Sequence, residues 1–136
     1  MLLECITNRV GDLPEIERAH VGEHVHSDDL HLVRGKRYVV YGVVLRAGLP
    51  WYLVVDDDEA EYPKPQFAGF FNVIDEAIPP GWRFQWRCGP WPDGALLPSE
   101  WCEPRFFEAL LDGGPNEVAV FKAKKAEIDS VSQPPQ

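Results

Sequence analysis

The sequence is poor in cysteine and has no long apolar run. Its three cysteines, Cys5, Cys88 and Cys102, are odd in number and widely spaced, and no two of them form a C-x-x-C pair. This spacing argues against a disulfide framework and against a zinc knuckle, so we expect reduced, buried thiols. The longest strongly apolar segment, residues 38–45, is far shorter than the roughly 20 residues of a membrane-spanning helix.

The amino terminus lacks the features of a secretory signal. Glu4 stands at the fourth position, no basic residue precedes it and no long apolar stretch follows it. A secretory signal needs a basic segment followed by an apolar one. We therefore expect a cytoplasmic protein without a membrane partner.

Positive charge is in the minority. The 136 residues include 13 Lys and Arg against 22 Asp and Glu, which gives a net charge of −9. Such a field repels phosphate backbones and attracts cations or basic protein surfaces. The charge balance therefore disfavours a nucleic-acid partner and favours a protein partner with a basic surface.

Strand patterns dominate the first half of the chain. Residues 2–7 predict a short first strand, whereas residues 8–32 predict a long loop with about one helical turn. Residues 37–46 and 51–55 are rich in β-branched and aromatic side chains and flank a turn, so they predict a hairpin. Another apolar run, residues 67–75, predicts a further strand.

The next strand, residues 82–88, alternates most cleanly. We predict a buried face formed by Trp82, Phe84, Trp86 and Cys88.

Helical spacing begins only after that strand. Apolar side chains predict helices at residues 103–111 and 115–129, followed by a disordered tail at residues 130–136. Residues 1–129 then form a single domain, because a chain of this length holds one core. Strands followed by helices predict an α+β fold with about five antiparallel strands, arranged as a small SH3-like barrel or as an open, curled sheet.

The sharpest catalytic pattern is H-x-x-E-H, formed by His20, Glu23 and His24. In metallopeptidases such a helix supplies two zinc ligands and a glutamate that activates water. Gly22 inside the motif and the lack of an amphipathic pattern around it favour a solvated loop instead. The expectation is no cofactor, with a metal site at these three residues as the alternative.

Two further features concern binding. An acidic run, Asp56, Asp57, Asp58, Glu59 and Glu61, lacks the spacing of a calcium loop and predicts either a solvated turn or a charged protein-contact site. Trp91 lies in a turn-like segment, where it is either an exposed aromatic anchor for a partner or part of the packing over a barrel mouth.

Other catalytic signatures are missing from the sequence. It contains no G-x-S-x-G elbow, no glycine-rich phosphate loop and no histidine beyond His31. A nucleophilic triad is therefore not predicted, and the chain is not expected to be an enzyme.

Several motifs together resemble a known group. They are a G-K-x-Y-x-V-Y-G strand that ends at Gly42, a Trp51-Tyr52 strand that leads to Asp56-Asp57, and a P-x-x-W turn that ends at Trp82. Over residues 5–129 the chain resembles a widespread group of small uncharacterised bacterial proteins. In build it is similar to immunity proteins that neutralise secreted bacterial toxins.

These observations lead to one expected function and two alternatives. The expectation is a non-enzymatic binding module whose acidic residues and Trp91 contact a basic protein, such as a toxin. The first alternative is a small enzyme, or a ligand-binding or metal-binding protein, that uses a polar pocket near residues 20–31. The second is a regulatory domain that binds a peptide on an open strand edge.

Overall fold

The computed structural model describes residues 1–25, 30–57 and 62–132. It confirms an α+β fold with antiparallel strands and helices at the carboxyl end. The strands and helices, in chain order, are β1 (Leu2–Cys5), α1 (Glu15–His24), β2 (Arg37–Val39), β3 (Gly42–Arg46), β4 (Leu49–Val54), β5 (Lys64–Phe67), β6 (Phe71–Asp75), β7 (Trp82–Gln85), β8 (Ala95–Pro98), α2 (Phe106–Leu111) and α3 (Pro115–Ser132).

The strands form two separate sheets. One has three strands in the order β2-β1-β6, and the other has five in the order β5-β4-β3-β8-β7. Every pairing is antiparallel.

Three connections pass from one sheet to the other, namely β2 to β3, β5 to β6 and β6 to β7, and two of them fall inside segments that were predicted as single strands. Residues 37–46, predicted as one strand, divide into β2 and β3, with Val40 and Tyr41 between them. A Cβ atom added to Gly42 would collide with the side chains of Leu97 and Leu53, so glycine permits the close packing at this crossing. Residues 67–75, also predicted as one strand, are divided by a short 3-10 helix at Ala68–Phe70.

The SH3-like barrel is not present among the described residues. The strand pairing is interrupted between β2 and β3 and between β5 and β6. The strands therefore form two separate sheets and not one closed cylinder. The alternation pattern locates the strands but does not show where a strand changes sheets.

The predicted hairpin is confirmed as β3 and β4. Arg46 pairs with Leu49 across a two-residue turn, and both turn residues have positive φ angles, 51° at Ala47 and 79° at Gly48. Positive φ at both central positions is typical of the turn that matches the twist of paired strands.

The predicted buried face of residues 82–88 is wrong at its centre. Cys88 is buried and Trp82 half-buried, but Phe84 is 60% exposed and Trp86 is 70% exposed. The strand ends at Gln85, and Arg87 has a φ of 59°, which interrupts the alternation. Moreover, β7 is the last strand of its sheet, so the core does not cover it fully.

The predicted loop at residues 8–32 is also wrong in part. It contains a 3-10 helix at Val10–Asp12 and the ten-residue helix α1, where only about one turn was predicted. Buried His20 and Val21 lie on the face of α1 that packs inward, so tertiary packing stabilises a helix that its own pattern does not predict.

The two carboxyl-terminal helices are confirmed, with shifted ends. Phe121 of α3 stacks on buried Trp101, with ring centroids 4.9 Å apart. The last helix extends to Ser132, which is buried, so residues 130–132 do not belong to a disordered tail. The rest of the predicted tail lies outside the described residues. Within those residues, no helix combines the length and the apolar character that crossing a bilayer requires.

Candidate functional site

The residues of the H-x-x-E-H pattern lie on α1 and not in a solvated loop. His20 and His24 are one helical turn apart, so both imidazoles lie on one face, with ring centroids 5.0 Å apart. His20 is 8% exposed and contacts Trp51 and Phe67, at centroid distances of 5.5 and 5.4 Å. Glu23 is exposed.

A buried hydrogen bond determines the state of His20. The indole Nε1–H of Trp51 donates to His20 Nε2 over 2.9 Å. An indole nitrogen only donates, so Nε2 is unprotonated and the ring proton lies on Nδ1. Burial lowers the pKa of His20, and the nearby charges of His24 and Arg46 lower it further, against the opposing effect of Glu23. His20 is therefore a neutral core residue.

This arrangement does not match the zinc site of a peptidase. The His20 nitrogen that faces Trp51 already accepts a hydrogen bond. Among residues 1–25, 30–57 and 62–132, no group of three His, Cys, Asp or Glu side chains is placed to hold a metal ion. The described geometry therefore offers no support for the metal-site alternative.

A polar cleft does lie beside this histidine pair. It has a volume of about 460 Å³, within the range of small-ligand sites. Its lining combines side chains from α1, from the loop after it and from strands β3 to β5: His24, Val25, Leu30, His31, Arg46, Trp51, Asp56, Lys64, Pro65 and Gln66. We call it the Arg46 cleft. It is the kind of pocket that the ligand-binding alternative requires.

Strand pairing places Arg46 in this cleft. Val44 and Arg46 lie on the same face of β3, and Val44 pairs with Trp51 of β4. Arg46 is thus the diagonal neighbour of Trp51, and its guanidinium carbon lies 4.7 Å from the centre of the indole ring. Burial lowers the pKa of Arg46, although a guanidinium remains charged at neutral pH.

The first two acids of the acidic run have partners within the chain; Asp56 is buried, whereas Asp57 is exposed. Asp56 is buried, accepts a 3.3 Å hydrogen bond from Gln66 Nε2 and lies 3.9 Å from Lys64 Nζ. Asp57 accepts hydrogen bonds from Lys36 and from the Tyr38 hydroxyl. Burial acts to raise the pKa of Asp57, but these two hydrogen bonds outweigh it and lower the pKa.

Asp56 is thus buried in the protein without a partner chain, and its predicted contact with a partner stays a prediction. The tyrosine of the G-K-x-Y motif and the carboxylate of Asp57 connect β2 to the end of β4. Asp58, Glu59 and Glu61 lie outside the described residues, so their predicted role in partner binding stays a prediction.

Trp91 is not an exposed anchor. It is 7% exposed, and its ring lies 4.8 Å from the Phe107 ring in an edge-to-face contact. Its backbone also pairs with Cys88, which closes the turn between β7 and β8. Of the two readings of Trp91, packing is the correct one.

All three cysteines are buried, as predicted. Burial raises the pKa of each thiol, and for Cys102 the value rises to about 11, with additional contributions from Cys88 and Glu100. A thiol with a raised pKa and little exposure is a poor nucleophile.

The aromatic residues of β7 and its turn form a second candidate surface. The Phe84 ring packs against Gly94, since a Cβ atom added to Gly94 would lie 2.7 Å from Phe84 Cζ. The Arg87 guanidinium covers one face of the Trp86 ring at 4.7 Å. We call Phe84, Trp86 and the unpaired side of β7 the aromatic edge.

No family model matches the chain, and neither a curated protein nor a solved structure shows significant similarity to it.

Proposed function

We propose that the protein is a non-enzymatic binding module that adds an extended segment of a basic partner protein to its aromatic edge. The observation that carries this proposal is the exposure of Phe84 and Trp86, at 60% and 70%. Large aromatic side chains are enriched in the energetic centres of protein interfaces.

The two ends of the five-stranded sheet differ in a way that supports the aromatic edge. At one end, β5 carries Lys64 and Pro65, and both residue types discourage strand addition. At the other end, β7 contains no proline, and β8 is its sole hydrogen-bonded neighbour among the described strands. Backbone groups on its other side can pair with an incoming strand, as in β-augmentation.

The charge of the chain supports a basic partner. A net charge of −9 attracts a cationic protein at long range and accelerates encounter. The aromatic edge then supplies short-range apolar contact. The resemblance to immunity proteins indicates the class of partner, a secreted bacterial toxin with a basic surface.

The test measures binding of the full chain to a basic protein encoded beside it, first at low and then at high salt. We expect Phe84→Ser combined with Trp86→Ser to weaken binding by tenfold or more, since interface aromatics commonly contribute about 2 kcal/mol or more each. Ile16→Ser is the matched control, because Ile16 is an apolar residue of α1 that is 83% exposed. It should leave affinity unchanged.

Hydrogen exchange locates the contact. On complex formation, amides of β7 that point away from β8 should become protected. Unchanged affinity in the double variant, or protection confined to other strands, would refute the proposal.

A further inference from the structure

Among the described residues that line it, the Arg46 cleft has more cationic than anionic groups, although the chain is acidic. The described part of its lining includes Arg46 and Lys64 against one carboxylate, Asp56. Asp56 lies 3.9 Å from Lys64 and also accepts a hydrogen bond from Gln66. No salt bridge within residues 1–25, 30–57 and 62–132 includes Arg46.

The position of Arg46 is unusual for a cation that forms no salt bridge with a described carboxylate. Its side chain is only partly exposed, and the indole of Trp51, itself 1% exposed, holds the guanidinium from one side. Burying part of a charge costs free energy unless an opposite charge compensates for it. A ligand with negative charge would provide that compensation.

The local potential points the same way. Burial is the largest cause that lowers the pKa of His20; His24 and Arg46 also lower it, while Glu23 acts to raise it, so the charge of Arg46 is felt at this edge of the core. The described residues hold no cluster of three metal ligands.

The remaining lining indicates what else the ligand carries. Val25, Leu30 and Pro65 contribute apolar surface beside the polar groups. A guanidinium presents a planar fork of N–H donors that matches the two oxygens of a carboxylate or phosphate. His24 also lines the cleft, and its ring lies 5.6 Å from that of Trp51, so its imidazole is a second group that can donate to an anion.

We propose that the Arg46 cleft binds a small organic oxyanion, in which a carboxylate or phosphate group pairs with Arg46 and an apolar body rests on Val25, Leu30 and Pro65. The site is independent of the aromatic edge. It lies beside β3, β4 and β5, whereas β7 forms the opposite end of the same sheet.

The test titrates the full-length protein with benzoate, phenyl phosphate and, as the cationic comparator, benzyltrimethylammonium. Calorimetry measures affinity, and the NMR resonance of the Trp51 indole N–H reports the location. We expect at least one of the two anions to bind saturably and to shift that resonance. The anion with the higher affinity shows whether the cleft prefers a carboxylate or a phosphate group. The ammonium compound should not bind.

Variants then assign the anion to the guanidinium. Arg46→Met, similar in size but neutral, should weaken binding by about tenfold to a hundredfold, the usual value of a charge-assisted hydrogen bond. Arg46→Lys keeps the positive charge but loses the planar pair of guanidinium donors, so we expect a smaller loss of affinity. This variant replaces Arg46→Met in the test if the Met variant fails to fold. Arg87→Met is the matched control, because Arg87 stacks on Trp86 at the same 4.7 Å but outside the cleft.

Three results would overturn the proposal. They are the absence of saturable binding of either anion at about 10 mM, equal binding of the cation, and an affinity in a folded Arg46 variant that equals the wild-type value.

Discussion

At the scale of single residues, His20 shows how the tertiary environment changes the chemistry of a side chain. In the sequence it is the first letter of a zinc-binding pattern, but in the structure it accepts a hydrogen bond from Trp51 and is 8% exposed. The pattern could not reveal this, because Trp51 lies 31 residues away along the chain. The partner of an imidazole, and not its spacing, decides whether it is free to bind a metal.

The lowered pKa of His20 predicts a dependence of stability on pH. Below the ordinary pKa of 6.5, the unfolded chain binds a proton at His20 that the native protein does not bind. The free energy of unfolding should therefore fall as the pH drops below about 6.5, until the native pKa is reached.

Urea unfolding of the wild type and of His20→Gln, at several values from about pH 8 to about pH 5, checks this expectation. The glutamine can still accept the hydrogen bond from Trp51 but does not titrate. The stability advantage of the wild type should be largest above pH 6.5 and should shrink below it. Parallel curves for the two proteins would contradict it, because His20 is the titratable group that the substitution removes.

At the scale of elements, strands were located from the sequence more reliably than their ends. β-branched and aromatic composition predicted the β3–β4 hairpin, because its two-residue turn is a local feature. The division of residues 37–46 into β2 and β3 depends on distant side chains, Leu53 and Leu97, which leave no space at Gly42. Local patterns do not contain that information.

Replacing Gly42 or Gly22 with alanine should change the free energy of unfolding in opposite directions. Gly42→Ala should lower the free energy of unfolding by about 1–3 kcal/mol, since the new methyl group collides with Leu97 and Leu53. Gly22 lies inside α1 with nothing within 4 Å of an added Cβ, so Gly22→Ala should raise the free energy of unfolding by about 0.5–1 kcal/mol. Thermal and urea unfolding measure the stability of both variants. Equal effects of the two substitutions would contradict the close packing inferred at Gly42.

At the scale of the whole molecule, α3 is joined to the crossing between the sheets. The Tyr41 hydroxyl donates to Asp129, which is 88 residues away, and Lys125 Nζ donates to the same carboxylate over 2.9 Å. Lys125 Nζ also lies over the Tyr41 ring, 5.2 Å from its centre. Burial and the Asp129 contact raise the pKa of Tyr41, so its hydroxyl stays a donor at neutral pH.

Asp129→Ala should therefore lower the free energy of unfolding by about 1–2 kcal/mol, because it removes two hydrogen bonds, one of them to a buried tyrosine. Glu127→Ala is the matched control on the same helix, since Glu127 pairs only with Lys124 at the surface, among the described residues. Its effect should stay within about 0.5 kcal/mol. Equal losses in the two variants would show that Asp129 does not fasten α3.

The sequence by itself determined the α+β class, the hairpin, the two carboxyl-terminal helices and the burial of the cysteines. These features depend on local periodicity and composition, which the chain carries in every conformation. Tertiary structure decided which sheet each strand joins, that α1 is helical, that Asp56 and Trp91 are inside, and that Arg46 lies beside Trp51 and His24. Those outcomes depend on contacts between residues far apart in the chain, because burial and electrostatic environment exist only after distant segments pack together.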